Sequence, residues 1–462
     1  MLIFPLSRSG LAKFRPLHRP FSQKIISQDK QTKPYRKPNS PASPVSCTSD
    51  TFPTKCDVAI IGGGGMGSST AYFLKKKAGR DLNVVVVERD SAYKKASTPL
   101  SAGCLRQQFT VEENVLMSRF AAEFLHSFRS EIGDEVDPNF KSYGNLYMVD
   151  EKNAERLAQG VALQKQLGVK SDLLSNDQLK AKFPWINPVG VGLASYGCVD
   201  EGWFDPWALL TGLRKKAQAL GAVYVDAEVI DFEFKSKDGA EYDAVDKIVV
   251  RTAKNEQRTI EFDKCLLSAG AFSGELAKKA RIGTGTGLLS TSLPVEPKKR
   301  YIYVINSQGQ NGPPLTGPQV RDTSQVYFRP EGPNFITSRS PPDDREPSVD
   351  NLDVDLDFFD TDIWPHLAYR FPAFESLKVV GSWAGYYDQN TFDQNGVIGK
   401  HPAYDNFYIA AGFSGHGIQK VPAVGRGMAE LIVDGRFKSI DLSIFGFERL
   451  IERRPVQELA IA

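Results

Sequence analysis

Cysteine is scarce in this chain. The five residues, Cys47, Cys56, Cys104, Cys198 and Cys265, stand apart in a sequence of 462. No C-x-x-C occurs and no histidine sits at ligand spacing from them, which argues against a disulfide framework or a zinc site and suits a reducing compartment. Histidine is as rare. His18 falls in the leader, and His126, His366 and His401 show no ligand spacing, so no metal site is expected. Long hydrophobic runs are also missing: none approaches the ~18 apolar residues of a membrane helix, so peripheral association with a membrane is the most that is expected. A large net charge is absent too, the formal value being +2. That balance hides an asymmetry. Residues 1–49 hold nine Lys/Arg and one acid, Asp29, which leaves the rest of the chain at −6. The basic character belongs to the leader, so nothing points to nucleic acid. A basic, acid-poor, Ser-containing leader without a long apolar core has the composition of a mitochondrial transit peptide; a disordered basic tail is the plain alternative.

What the sequence does have is concentrated in 57–89, DVAIIGGGGMGSSTAYFLKKKAGRDLNVVVVER. An apolar run of buried-strand type ends at Gly62, a glycine turn and a helical pattern follow, and a second apolar run closes on Glu88. This is the order of a dinucleotide-binding βαβ unit. Gly62 lets the chain turn off the strand, Gly64 admits a pyrophosphate close to the backbone, and Gly67 lets the helix lie on the sheet. The helix start offers free N–H groups to phosphates, and Glu88 is placed for ribose hydroxyls. FAD and NAD use the same unit, and this stretch does not choose between them. Lys75-Lys76-Lys77 is expected to be a solvated helix face.

Residues 30–55, rich in Pro, Ser and Lys, read as a linker. Ser175 is expected to cap a helix over 177–183, and Asp205-Pro206 to start a helix that Gly221 ends. Strands are expected over 222–225, 229–234 and 247–251. Two later segments repeat the pattern of strand, small-residue turn and helix, at 265–277 and 407–435. The chain thus visits one glycine-bearing sheet three times, near 57–90, 222–277 and 407–434, and the strand-rich segments between form a second domain. With 462 residues there is core for both.

The opening fingerprint, the loop Ser101-Ala102-Gly103, the turn Ala269-Gly270-Ala271 and the late GFSGHG (412–417) resemble the D-amino-acid oxidase superfamily, in its sarcosine oxidase, glycine oxidase and dimethylglycine dehydrogenase branch. The strings VVVERD (85–90), KFPWINP (182–188), ASYGCVDEGWFDPW (194–207), LPVEPKKRYIYV (293–304) and WAGYYDQNTFDQNGVIGKHP (383–402) resemble a mitochondrial member of it connected with assembly and stability of respiratory complex I. The resemblance spans about 55–450. It implies an α/β fold: a Rossmann-type FAD-binding domain, discontinuous in sequence (56–110, 192–290 and 395–450), with a second, β-rich α+β substrate domain (111–191 and 291–394). It implies FAD rather than NAD. Gly62, Gly64 and Gly67 would hold the pyrophosphate, and Glu88 and Arg89 the adenosine end. Ser101, Ala102 and Gly103 would run along the flavin, with Val229, Ala269 and Gly270 nearby. Gly412, Phe413, Ser414, Gly415, His416 and Gly417 would turn backbone N–H groups to the pyrimidine end.

Departures from the family shape the expected activity. The cysteine to which sarcosine oxidases attach flavin is missing from Trp383-Ala384-Gly385-Tyr386, and the histidine of dimethylglycine dehydrogenases is Ser101, so noncovalent FAD is implied. The lysine after GFSGHG is Gln419 here; Lys420, one place on, is turned about 100° round a helix. The oxygen-reactive lysine has no match near Phe335-Ile336-Thr337. Both changes favour a dehydrogenase of CH–NH donors over an oxidase, or an assembly chaperone that keeps FAD without catalysis. Arg106 stands where the family binds a substrate carboxylate, a planar anion suited to a guanidinium; the plain alternative is a surface pair with Glu112 or Glu113. Tyr386 and Tyr387 are expected to line the substrate pocket or to be core. His416 is expected to serve as a hydrogen-bond donor in the flavin site. The partners implied are a small amine or amino acid and complex I subunits or assembly intermediates, on the matrix side.

Overall fold

The computed structural model describes residues 52–236, 238–307 and 311–458. The targeting segment and nearly all of the linker lie outside these residues.

Two large sheets and a two-stranded ribbon make up the β structure of the described residues. The first has five parallel strands at its centre, in the spatial order Val223–Lys235, Val84–Glu88, Lys55–Ile61, Gln257–Leu267 and Phe407–Ala411. Val397–Lys400 is antiparallel on the last of these, and Ala244–Thr252 joins the first to the fourth by antiparallel pairing. The runs 58–61 and 84–87 within two of these strands are wholly apolar because both faces are covered, as parallel strands require. Val58, Ile60, Val84 and Val86 face the layer holding helices Gly65–Ala78, Pro206–Ala219 and Val421–Asp434, while Ala59, Ile61, Val85 and Val87 pack into a second cluster behind. Full burial of each valine or isoleucine contributes roughly 2 kcal/mol, so this stretch anchors both cores.

The second sheet has eight strands, in the order Lys378–Asn390, Val295–Asn306, Asn334–Ser338, Tyr327–Glu331, Gln319–Arg321, Asn145–Val149, Leu193–Gly197 and Ser171–Leu174. All neighbours are antiparallel except Gln319–Arg321 beside Asn145–Val149. Cys104–Leu105 forms a short ribbon with Gly202–Trp203 between the two bodies.

The local signals hold. Ser175 closes a capping box on Asn176–Lys182, and the Asp205 carboxylate accepts from the N–H groups of Trp207 and Ala208. Three expectations are corrected. Strand 193–197 pairs in the second sheet and not in the first domain expected over 192–290; its partners, 145–149 and 171–174, are set apart from it in the chain by helices Glu151–Gln166 and Asn176–Lys182, a pairing that periodicity cannot see. Helix Glu112–His126 packs into the helix layer of the first sheet, outside the substrate domain expected over 111–191. Lys75 is not solvated: it is 3% exposed, and its ammonium donates to the Leu82 carbonyl at 2.8 Å, while Lys76 and Lys77 pair with Glu131 and Asp434.

Candidate functional site

A cavity of about 1170 Å³ runs from the C-terminal ends of the parallel strands to the face of the second sheet. That is where a doubly wound sheet binds ligands, because the helix N-termini and strand ends leave polar backbone there.

At one end are the glycines of the first turn. Gly62 has φ +95° and packs on the Ser268 carbonyl, which a Cβ would meet at 2.5 Å. Gly67 lies against the Gly62 carbonyl, and a Cβ there would stand 1.9 Å from it. Gly64 differs. Its backbone suits any residue (φ −65°), and an added Cβ would touch only Thr98 Oγ1 at 3.5 Å, so its open side faces the cavity. The helix then starts at Gly65 with no side-chain cap from Gly64, and the Thr98 hydroxyl accepts from Gly65 N–H at 3.0 Å. Glu88 is buried at the strand end. One carboxylate oxygen accepts from Gly63 N–H at 2.9 Å and the other from Asp90 N–H at 3.0 Å. Burial pushes its pKa up, and these two N–H groups hold it back. Arg89 stacks on the Phe272 ring at 4.0 Å, and Val229, Ala269 and Gly270 complete this end.

Ser101 and Ala102 line the middle of the cavity, but Gly103 does not. At φ +69° it turns behind the loop, where a Cβ would lie 2.2 Å from the Phe204 carbonyl, and its own carbonyl accepts from Phe204 N–H at 2.8 Å. Phe413, Ser414, Gly415, His416 and Gly417 line the cavity as expected, but four of the backbone N–H groups of 412–417 are taken up within the protein. The N–H groups of Gly412 and Phe413 are not presented to a ligand: both donate to one Asp388 oxygen, at 3.1 and 2.9 Å. Gly412 packs on Val295 away from the cavity, Ser414 N–H donates to the Asp388 carbonyl, and His416 N–H to the Phe413 carbonyl. Asp388 itself lines the cavity. Burial pushes its carboxyl up to about 6 against the pull of the two N–H groups.

The far end carries Arg106, delivered by the ribbon strand 104–105. The surface pairing with Glu112 or Glu113 is overturned: Arg106 is 7% exposed and lines the cavity. Its backbone N–H donates to Gln419 Oε1 at 2.8 Å, which is the use this site makes of that residue. One guanidinium nitrogen donates to the Tyr147 hydroxyl and the other to His416 Nε2 at 3.0 Å. A guanidinium only donates, so His416 accepts there and carries its proton on Nδ1. Burial, then the charges of Arg106 and Lys420, hold its pKa well below the ordinary value, and the imidazole is neutral. Arg106 Nε and His416 Nδ1 have no hydrogen-bond partner among the described residues. No carboxylate pairs with Arg106 among them either. A buried cation so placed costs free energy that an incoming anion would offset.

Tyr386 is a wall and not a free hydroxyl: it donates to the Val349 carbonyl at 3.0 Å and meets Phe272 edge-on. Tyr387 lines the cavity and donates to the Ser414 carbonyl. Lys420 points away, as the helical step requires. It is 1% exposed, donates to Asn114 Oδ1 at 2.5 Å, and burial pushes it down to about 7. Asp388, Thr98, Tyr147 and Arg321 were not singled out from sequence; only Asp388 had a signal, inside the string at 383–402.

Behind Arg106 lies Glu201, fully buried, accepting from Gln108 Nε2 at 2.9 Å. Burial pushes its carboxyl up to about 8. The folded state therefore holds a proton that the unfolded chain releases near pH 4.5, and stability falls as pH rises from about 4.5 to 8. Glu201→Gln, which mimics the protonated acid, is expected to gain on the parent protein by up to ~1.4 kcal/mol per pH unit across that window. Denaturant midpoints at pH 5.5 and 8 check this; parallel curves would refute it.

A sequence model of the family described as FAD dependent oxidoreductase matches residues 57–431. The chain is 47% identical over 439 residues to FAD-dependent oxidoreductase domain-containing protein 1 of Xenopus laevis, covering 91% of this chain and 88% of that one. It is 45% identical over 424 residues to the Drosophila melanogaster homolog, covering 89% and 81%. Among solved structures it is similar to L-proline dehydrogenase from P. horikoshii, with TM-score 0.71, 25% identity, and 88% and 100% of the two chains covered. Glycine oxidase from Geobacillus kaustophilus shares the fold, with TM-score 0.68 at 20% identity over 85% of this chain and 98% of that one.

Proposed function

This chain belongs to the FAD dependent oxidoreductase family, and on that premise we propose that it is a dehydrogenase of amines or amino acids with noncovalently held FAD. The residues suit the cofactor. Gly64 leaves an open cradle at a helix start, Glu88 keeps lone pairs toward the cavity, and Val229, Ala269 and Gly270 shape the same end. When bound, the flavin supplies the acceptor for a hydride from the carbon next to nitrogen.

The chain's own part is positioning. The observation that carries the reading is Arg106, a buried guanidinium on the cavity wall with no carboxylate partner among the described residues. It would hold a substrate carboxylate, with Tyr147 and neutral His416 fixing the plane of the guanidinium and Gln419 fixing its backbone. Noncovalent attachment is supported by Cys104. It is the one cavity-lining cysteine among the described residues, and burial pushes its thiol up, away from the reactive thiolate.

By the same reading the protein works in the mitochondrial matrix, with peripheral membrane association at most, and contributes to assembly and stability of respiratory complex I. The leader composition and the sequence resemblance support this. A second reading, a non-catalytic assembly factor that keeps FAD, is favoured by Lys420 turning away from the cavity toward Asn114.

The test uses the full chain purified with FAD. Acid precipitation should release all the flavin, and anaerobic addition of a panel of primary and N-methyl amino acids should bleach it. Flavin retained in the pellet would contradict noncovalent binding. Bleaching by none of the amines would sink the dehydrogenase reading and leave the assembly factor.

A further inference from the structure

Holding one carboxylate uses only one of the guanidiniums that line the far end of the cavity. Arg321 lies on the strand Gln319–Arg321. Alternation along it sends Val320 into the core of the second sheet, fully buried, and leaves Gln319 and Arg321 on the cavity face. Arg321 is in parallel register with Tyr147 on the neighbouring strand. Its guanidinium carbon stands 5.8 Å from the centre of the Tyr147 ring, and that of Arg106 stands 5.3 Å from the same point. Two cations thus share one buried ring, close enough for each charge to act on the other and on His416.

Neither contacts a carboxylate of the protein among the described residues. Arg321 Nε donates to the neutral amide of Gln325 at 2.8 Å, and no ion pair to Arg321 or Arg106 occurs among the described residues. Another arginine of the cavity shows the contrast: Arg300 is paired with Glu346 at 2.6 Å. Polar groups left open cluster at the same place. Gln319 Oε1 joins Arg106 Nε and His416 Nδ1 in having no hydrogen-bond partner among the described residues. Gln319 is 6% exposed and lines the cavity. A cavity end with two guanidiniums that make no ion pair suits a ligand with two negative charges, and its unpaired amide oxygen suits a donor such as an amine. A monocarboxylate leaves one cation unmatched.

We propose that the substrate is a dicarboxylic amino compound, one carboxylate held by Arg106 and the second by Arg321. This rests on the reading of Arg106 given under the proposed function and adds Arg321 as the specificity-determining residue.

The experiment titrates the flavin spectrum of the FAD-loaded full chain with malonate, succinate and glutarate, against acetate, propionate and butyrate. These ligands cannot be dehydrogenated at a carbon bearing nitrogen, so binding is read apart from turnover. The best dicarboxylate should bind at least 30-fold more tightly than the best monocarboxylate, and Arg321→Gln should bring that ratio to within about threefold. Arg321→Lys should keep part of it, since a point charge survives without the planar fork. A parent ratio near one, or a ratio that Arg321→Gln leaves intact, overturns the proposal. Anaerobic bleaching by aspartate, glutamate and N-methylglutamate, compared with glycine, alanine and sarcosine, separates the two levels. Bleaching by monocarboxylic amines alone overturns this inference and spares the dehydrogenase reading. A dicarboxylate preference without bleaching by any amine upholds the site and removes the dehydrogenase.

Discussion

Gly64→Ala is expected to yield a folded protein that purifies without FAD. The backbone at Gly64 tolerates a side chain, and the nearest atom to an added Cβ is Thr98 Oγ1 at ordinary contact distance, 3.5 Å. The methyl group would instead fill the space a pyrophosphate needs at the helix start. A displaced phosphate loses charge-assisted N–H contacts, and a loss of 1.4 kcal/mol or more lowers affinity at least ~10-fold. Far-ultraviolet circular dichroism should match that of parent apoprotein while the flavin absorbance is missing. Gly67→Ala is the control for a structural effect. Its Cβ would stand 1.9 Å from the Gly62 carbonyl, so the helix itself must shift. Stoichiometric FAD in folded Gly64→Ala would refute the assignment of this turn.

Arg106→Met should remove turnover while leaving both flavin and fold. The glycines of the 62–67 turn lie at the other end of the cavity, and Gln419 bonds the backbone of Arg106, which the substitution keeps. Losing a buried partner for a substrate carboxylate typically costs about 2–5 kcal/mol, or roughly 30- to 4000-fold in kcat/KM. Arg106→Lys is expected to recover little, because a point charge does not reproduce two planar donors. Stability separates this role from a structural one. A buried guanidinium without a carboxylate is a burden on the folded state, so Arg106→Met should unfold at the same or higher denaturant concentration than the parent. A clear loss of stability with kcat/KM preserved would show that Arg106 serves the fold. Complex I assembly that persists in a variant without turnover would separate the two proposed roles.

Much of the first domain was legible in sequence, for a local reason. Strand, turn, helix and strand over 57–89 are each specified within a few residues, by apolar runs, by glycines at set spacing and by one acid at the strand end. The Ser175 box and the Asp205 cap are equally local. So was the turn of Lys420 away from the site, since one step along a helix sets that direction. Where partners are remote in the chain, the same reading failed. Strand 193–197 belongs to the second sheet because it pairs with 145–149 and 171–174. The N–H groups of Gly412 and Phe413, read as flavin donors, are held by a carboxylate 24 and 25 residues earlier.

By itself the sequence determined the dinucleotide unit, the family and the place of Arg106 among its candidate residues. Only the tertiary structure decided what surrounds Arg106: a neutral His416, a buried Tyr147, and Arg321 brought in by a three-residue strand too short to show a period. The physical reason is reach. Backbone conformation and capping act over a turn or two of chain, while the charge and hydration of a buried group depend on every segment packed round it.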